Sequence, residues 1–166
     1  MKGPPQVIFL ALGAIALGQS IWQHGRLPER VAAHFNASGE ADGYLSRGLH
    51  TAWHLATVLF LTALFQGIAV LQARLPKDYV NLPHRDYWLA PGRAAATHDW
   101  IASLVHLLGS AVLVFFIALF HLLYQANLNP PPRLGAAVWW LAGTLLAAVA
   151  AALAALAVKF GRKPVA

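Results

Sequence analysis

The chain has 166 residues, of which 58% are hydrophobic and only 11% are charged. A soluble domain carries about 25% charged residues, so this composition argues against a soluble globular domain and favours an integral membrane protein. The absence of cysteine excludes disulfides and thiolate-bound metals. The net charge of +6 is dispersed among loops and ends instead of clustered on one face, so we expect no nucleic-acid partner.

Four apolar runs are each long enough to cross a bilayer. A spanning helix needs about 20 predominantly apolar residues, and helices are the default because a backbone in hydrocarbon must satisfy its own hydrogen bonds. The runs predict helices over about residues 7–23, 50–73, 98–124 and 134–158. We therefore predict an all-α protein, a single four-helix transmembrane bundle over residues 1–166, with a structured extracytoplasmic loop between its first two helices.

The first apolar run has a second interpretation. With Lys2 in front of it, the run also fits a secretory signal peptide that is removed after export. Trp22 near its end favours a retained spanning helix, because Trp anchors helices at the membrane interface.

The basic residues predict the orientation of the helices. Eight lie before the first helix, between the second and third, or after the fourth, whereas four lie in the other two loops. The eight are Lys2, Arg74, Lys77, Arg85, Arg93, Lys159, Arg162 and Lys163, and the four are Arg26, Arg30, Arg47 and Arg133. By the positive-inside rule we expect a multi-pass protein of the bacterial inner membrane, in contact with the lipid bilayer, with both termini cytoplasmic.

The polar stretch 26–49, between the first two helices, holds three of the six acidic residues. Pro28 and three glycines interrupt regular structure there, and Asn36 and Asp42 lie in sequences typical of tight turns. We therefore expect a compact cap over the helix ends.

Histidines near this cap suggest a metal site. His50 and His54 are four residues apart and share one helical face, as a two-histidine site requires. Nitrogen and oxygen ligands without sulfur suit zinc or copper, so a rival hypothesis is a metal-binding protein or enzyme using His34, His50, His54 and His121 with Asp42. The sequence HTAWH lacks the Glu of an HExxH zinc protease, and enzymatic activity is the less favoured alternative.

A polar stripe follows the third helix. Its members are separated by four, three and four residues and share one face, which we expect to face the bundle interior. They are Asp99, Ser103, His106 and Ser110. Hydrogen bonding between helices is the favoured interpretation, and a small transporter that also uses Gln19, Gln23 and Gln66 is the alternative.

Small residues recur every four positions along the fourth helix and let helices approach closely. This ridge consists of Gly143, Ala147, Ala151 and Ala155. We expect it to pack within the bundle, and a homodimer through the ridge is less favoured.

Two motifs resemble a known family. Residues 27–47, LPERVAAHFNASGEADGYLSR, resemble the N-terminal signature of SdpI-like immunity and signal membrane proteins, a region that also occurs alone in a bacterial membrane family of unknown function. Residues 80–93, VNLPHRDYWLAPGR, resemble a segment of the stand-alone members, with His84 where Asn is expected and Gly92 where an acidic residue is common. The candidate functional residues are His34, Asn36, Gly39, Asp42 and Gly43 in the first motif, and Asn81, Pro83, Asp86, Tyr87 and Trp88 in the second.

SdpI-like proteins confer immunity to a secreted peptide toxin and sequester a repressor at the membrane. The chain resembles only their N-terminal portion. The resemblance therefore implies a non-enzymatic accessory, sensor or immunity-type protein, whose outer loop meets a protein or peptide partner.

Overall fold

Four long helices dominate the computed structural model, which describes residues 3–162. In chain order the elements are α1 Pro4–His24, β1 Arg30–Phe35, β2 Ala41–Ser46, α2 Arg47–Leu71, a 3-10 turn Lys77–Tyr79, α3 Arg85–Trp88, α4 Ala94–Leu128 and α5 Ala137–Phe160. Helices α1, α2, α4 and α5 are long and apolar enough to cross a membrane, which confirms the predicted all-α, four-helix architecture.

The helix ends differ from the predicted ones by up to four residues because local chemistry, not hydropathy, sets them. Helix α2 begins at Arg47 because the hydroxyl of Ser46 caps it, accepting a hydrogen bond from the Leu49 amide at 3.3 Å. Helix α5 begins three residues later than predicted, after the prolines at 130–132 and a glycine, which disfavour helix.

Helix α4 is the centre of the bundle and packs against α1, α2 and α5. Phe9, Val58 and Leu113, one from each of α1, α2 and α4, are fully buried in the shared core. The close approach of these helices depends on Gly109, because a Cβ there would lie 2.8 Å from the ring of Phe9 and 2.9 Å from that of Phe65.

Helix α5 lies at the side of the bundle and packs chiefly along α4. Gly143, Ala147 and Ala151 are exposed, so the prediction that this ridge packs within the bundle is wrong for these three residues. The packed face carries larger side chains such as Leu141 and Leu145. Larger side chains bury more apolar area, which explains why this face is used instead of the ridge.

The loop between α1 and α2 contains a two-stranded antiparallel hairpin, which the sequence analysis did not predict. Val31 pairs with Leu45 and Ala32 pairs with Tyr44, and the register shifts on either side of His34. Val31 and Ala32 are fully buried, so β1 packs against the bundle, whereas every residue of β2 is half-buried or exposed.

Lys2 and Lys163, which contribute to the predicted orientation, lie outside the described range, and the orientation stays a prediction. We therefore call the two ends of the bundle the hairpin end, which carries β1 and β2, and the loop end, which carries the segment between α2 and α4.

Candidate functional site

The first motif folds as a unit that we call the hairpin cap, residues 27–47. Its turn is built by Asn36, whose side-chain oxygen accepts hydrogen bonds from the amides of Ser38 and Glu40 at 2.9 and 3.0 Å. Its base is closed by Arg47, whose amide donates to the carbonyl of Glu29 at 2.9 Å. These local bonds give the cap a defined shape at both of its ends.

Asn127 fastens the middle of the hairpin cap to α4. Its side-chain oxygen accepts from the amide of Ala32 at 2.7 Å, and its side-chain nitrogen donates to the carbonyls of Ala32 at 3.0 Å and Leu123 at 2.9 Å. Both Asn127 and Ala32 are buried, so water does not substitute for these bonds. The amide side chain of Asn127 thus pairs with β1 as the backbone of a neighbouring strand would.

The tip of the hairpin cap is bound to the segment between α4 and α5. The Leu134 amide donates to the carbonyl of Gly39 at 2.8 Å, and Arg133 forms an ion pair with Glu40 at 2.7 Å. Gly39 has φ +76°, and a Cβ there would lie 2.2 Å from the carbonyl oxygen of Leu134. Only glycine fits this position, which accounts for its place in the motif.

The side chains of His34 and Asp42 are hydrogen-bonded to each other across the two strands. The side chain of His34 is 75% exposed, so the pair lies on the solvent face of the hairpin cap. Beside it, the guanidinium of Arg30 lies 4.6 Å from the ring centre of Tyr44. A Cβ on Gly43 would lie 2.8 Å from the Cβ of His34, so a glycine is needed opposite this histidine.

Sequence analysis missed Asn127 and Arg133, although together they hold the cap in place. A signal for Asn127 was present, because it lies seven residues after the buried Phe120 and fourteen after the buried Leu113. A polar residue at heptad spacing on a buried face needs a hydrogen-bond partner. Its partner, Ala32, is 95 residues away, and no local pattern reveals that contact.

The four histidines of the predicted metal site do not converge. His50 and His54 are neighbours, with ring centres 4.0 Å apart, and the ring of His54 stacks on Phe120 at 3.6 Å. His34 lies on the solvent face of the cap, and His121 is exposed on α4. Within residues 3–162, no three His, Asp or Glu side chains are grouped closely enough to hold a metal ion.

The polar stripe of α4 serves partly to bond helices together. The side-chain nitrogen Nε2 of His106 lies 3.2 Å from the side-chain oxygen of Gln66, and that oxygen also accepts from Gln6 at 3.2 Å. The hydroxyl of Ser110 instead bonds the carbonyl of His106 in its own helix, and Asp99 is exposed. His106 thus connects α4 to α2 and, through Gln66, to α1.

The second motif lies at the loop end and fastens α5. Asn81 and Pro83 are exposed, whereas the ring of Trp88 packs edge-on against Phe160, the last residue of α5, at 5.2 Å. The Lys77 ammonium, hydrogen-bonded to Asp86 at 2.7 Å, holds the pKa of that carboxylate below its ordinary value.

Tyr87 packs against Trp88, and the guanidinium of Arg93 lies 4.0 Å from the centre of the Tyr87 ring. The aromatic residues of this motif therefore contribute to packing between α3 and the ends of two spanning helices.

A groove of about 480 Å³ separates the hairpin turn from the start of α5. Its walls are residues 35–39 on the cap and residues 134–142 on the α5 side, including Trp139, which is largely exposed. The groove is mostly apolar and adjoins the Gly39–Leu134 contact, so it lies where the cap ends and α5 begins.

One comparison with known proteins shows a similarity, over part of the chain, to a family without an assigned activity. Residues 9–64 match the model of a family described as a domain of unknown function, DUF1648. The matched region contains most of α1, the whole hairpin cap and two thirds of α2, and it excludes the second motif. No curated protein and no solved structure shows significant similarity to the chain. The four apolar helices support a membrane protein, and residues 9–64, about a third of the chain, are similar to an uncharacterised family.

Proposed function

We propose that this chain is a small, non-enzymatic accessory or sensor protein of the bacterial inner membrane, of the immunity type, with both termini cytoplasmic. Its hairpin cap then faces outward and binds an extended peptide segment of a partner. The peptide pairs as an additional strand with the outer edge of β2. The observation that carries this proposal is the difference between the two edges of the hairpin.

The edge of β1 is already occupied. In an antiparallel pair, backbone groups point alternately toward the partner strand and away from it. The backbone amide and carbonyl of Ala32 both point away from β2 and are hydrogen-bonded to the side chain of Asn127. Tyr44 is opposite Ala32 in the register, so its amide and carbonyl point away from β1. Within the described residues, β2 has no second strand beside it at Tyr44.

Partial pairing already exists further along the same edge. Glu40 forms an isolated antiparallel bridge with Arg133, on the side where the Gly39 carbonyl accepts from Leu134. A peptide added beside residues 41–46 would continue this line of backbone hydrogen bonds. Strand addition of this kind derives affinity from main-chain bonds and specificity from alternating side chains. Here those side chains would meet Tyr44 and the His34–Asp42 pair.

Because the cap is fastened at its base, middle and tip, the edge is presented in one conformation. A preorganised strand avoids the entropy of ordering, which favours peptide binding. The apolar groove beside Trp139 offers a place for an apolar side chain of the same peptide.

The test uses the full chain in lipid nanodiscs and peptides selected against it from a random display library. Tyr44→Pro removes the outward amide without removing a bond between β1 and β2, whereas Tyr44→Ala removes the ring and keeps the amide. We expect Tyr44→Pro to weaken binding about tenfold or more, since it loses one backbone bond and places a ring against the added strand. Tyr44→Ala measures the separate contribution of the Tyr44 ring to peptide affinity.

Hydrogen exchange then identifies the binding mode. The expected result is that bound peptide slows exchange of the Tyr44 amide and leaves that of Ala32 unchanged, because Asn127 already protects it. Peptides that bind Tyr44→Pro as tightly as the unmodified chain, or that leave Tyr44 exchange unchanged, would refute strand addition.

A further inference from the structure

A buried polar cluster lies beneath the hairpin cap, where α1 ends and α2 begins. Gln23 and His50 are 1% and 3% exposed, and their side-chain nitrogens and oxygens have no hydrogen-bond partner within residues 3–162. His24 Nδ1 and Thr51 Oγ1 are hydrogen-bonded at 2.9 Å. Since these residues adjoin Gln23 and His50 in sequence, their bond sets the two buried side chains at the same level of the bundle.

Such a cluster is costly as it stands. A buried polar group without a partner is destabilising, and such groups in native proteins usually have a protein, water or ion partner. Neighbouring polar side chains do not fill this role. Ser20, one turn before Gln23 and 2% exposed, bonds the carbonyl of Ala16 at 3.0 Å. The imidazole of His50 and the amide of Gln23 therefore remain available to a ligand.

We propose that His50 and His54, with the side-chain oxygen of Gln23, hold a transition-metal ion of the zinc or copper class. Two histidines four residues apart on one helix are a recurrent donor pair, and imidazole suits these metals. The proposed set differs from that expected from the sequence, because Gln23 of α1 replaces His34 and His121. It is independent of strand addition at β2, which uses a different face of the cap.

The two histidine rings already lie side by side, with ring centres 4.0 Å apart and planes inclined at 53°. Two imidazoles bound through nitrogens at about 2.0–2.1 Å from one tetrahedral ion have ring centres roughly 5 Å apart. Binding therefore requires the two ring centres to move apart by about 1 Å. The stack of His54 on Phe120, at 12° between planes, restrains one of the two rings. Restraint of a ligand by its surroundings is a usual property of metal sites.

A metal at this position would join α1 to α2 directly under the cap. Helix α2 supplies the two histidines and α1 supplies the amide, so binding should also stabilise the packing of these helices. The site lies where α1 ends and α2 begins, and burying a cation near the end of a membrane-spanning helix costs less free energy than burying it at the bilayer centre.

The test uses the full chain in detergent, stripped with a chelator and titrated separately with Zn²⁺ and Cu²⁺. We expect one ion per chain by elemental analysis. His50→Ala and His54→Ala should each lower the affinity about 100-fold or more, and Gln23→Leu about tenfold. His34→Ala and His121→Ala are matched controls that should leave binding unchanged. A thermal midpoint that rises with metal in the unmodified chain and not in His54→Ala would add support.

The decisive measurement needs no variant and so does not depend on how well a variant folds. X-ray absorption of the metal-loaded, unmodified chain should show two imidazoles at about 2.0–2.1 Å. The proposal is overturned if no ion binds stoichiometrically, if the spectrum shows fewer or more than two imidazoles, or if the control variants lose binding as the His50 and His54 variants do.

Discussion

Asn127→Ala tests whether one side chain fastens the hairpin cap to the bundle. The substitution removes both the oxygen and the nitrogen that pair with Ala32, at 2.7 and 3.0 Å, and the bond to the Leu123 carbonyl. Ala32 is 0% exposed, so its amide and carbonyl would lose their partners in a place that water does not reach.

The expected magnitude follows from those two backbone groups. Each buried group left without a partner costs about 1–3 kcal/mol, which sets an upper range of roughly 2–6 kcal/mol for the pair. Truncation of Asn127 also opens space through which water can reach Ala32, so the lower part of the range applies. We expect the docked state of the cap to lose about 2 kcal/mol, which corresponds to an increase of roughly 30-fold in its opening equilibrium.

Hydrogen exchange measured by mass spectrometry on residues 27–36 reports this opening directly. Asn129→Ala is the matched control, because Asn129 also donates to the carbonyl four residues earlier, at 2.8 Å, but is exposed. We expect the control to change the free energy of cap opening, as measured by exchange, by less than about 0.5 kcal/mol.

The reasoning fails if Asn127→Ala leaves the exchange of β1 unchanged, or if Asn129→Ala accelerates it equally. Asn127→Asp refines the result, because the carboxylate still accepts from the Ala32 amide but has no hydrogen to donate to its carbonyl. Its effect should lie between those of the unmodified chain and Asn127→Ala.

Two glycine substitutions extend the tests, each with a control at a second glycine. Gly39→Ala should lower the unfolding midpoint of the cap by more than Gly92→Ala does, because both have positive φ but only Gly39 also clashes, with the carbonyl of Leu134. If Gly39→Ala and Gly92→Ala lower the unfolding midpoint equally, the predicted clash at Gly39 is contradicted. Gly109→Ala should destabilise the bundle by about 1–3 kcal/mol through overpacking. A Cβ at Gly143 would have no atom within 4 Å, so Gly143→Ala should be neutral or stabilising. If denaturant titrations show Gly143→Ala to be more destabilising than Gly109→Ala, this account of the core is refuted.

Helix number and position could be predicted because a membrane helix is a local property of the chain. Whether a segment can span the bilayer depends on the summed hydrophobicity of about 20 consecutive residues, and that sum does not depend on distant contacts. The ends could not be predicted as well, because they depend on individual caps. The hydroxyl of Ser46 starts α2 three residues earlier than the apolar run does.

The hairpin could not be predicted because contacts distant in sequence stabilise it. Its strands are only six residues each, and β1 lacks a clean alternation of apolar and polar side chains, although β2 alternates. A two-stranded hairpin alone is marginally stable at best in water. The cap is held by Asn127 and Arg133, which lie 95 and 93 residues from their partners. Glycines and prolines did indicate an ordered loop, but they did not specify strands.

Helical spacing predicted part of the histidine arrangement. His50 and His54 share a face because four residues complete nearly one turn, and the structure places them side by side. His121 lies fifteen residues after His106, which at 100° per residue places it about 60° away from the face of His106. That rotation is enough to expose His121 while His106 stays buried.

Two residues of the second motif have an unusual backbone conformation. His84 has φ +53° and Gly92 has φ +87°. Asn, Asp and His are the non-glycine residues that most often adopt positive φ, and glycine adopts it without strain. The residue types at these two positions therefore suit the backbone of the turn.

The two motifs, 27–47 and 80–93, fasten opposite ends of the same helix. Helix α5 contributes one fully buried side chain, Phe160, and its face along α4 is only half-buried, so contacts at its two ends add to the packing that positions it. At its start, the tip of the hairpin cap binds Arg133 and Leu134 just before the helix begins. At its end, Trp88 of the second motif packs against Phe160. Because the cap tip is bonded to the residues just before α5, strand addition at β2 would act on the start of α5 through the cap tip.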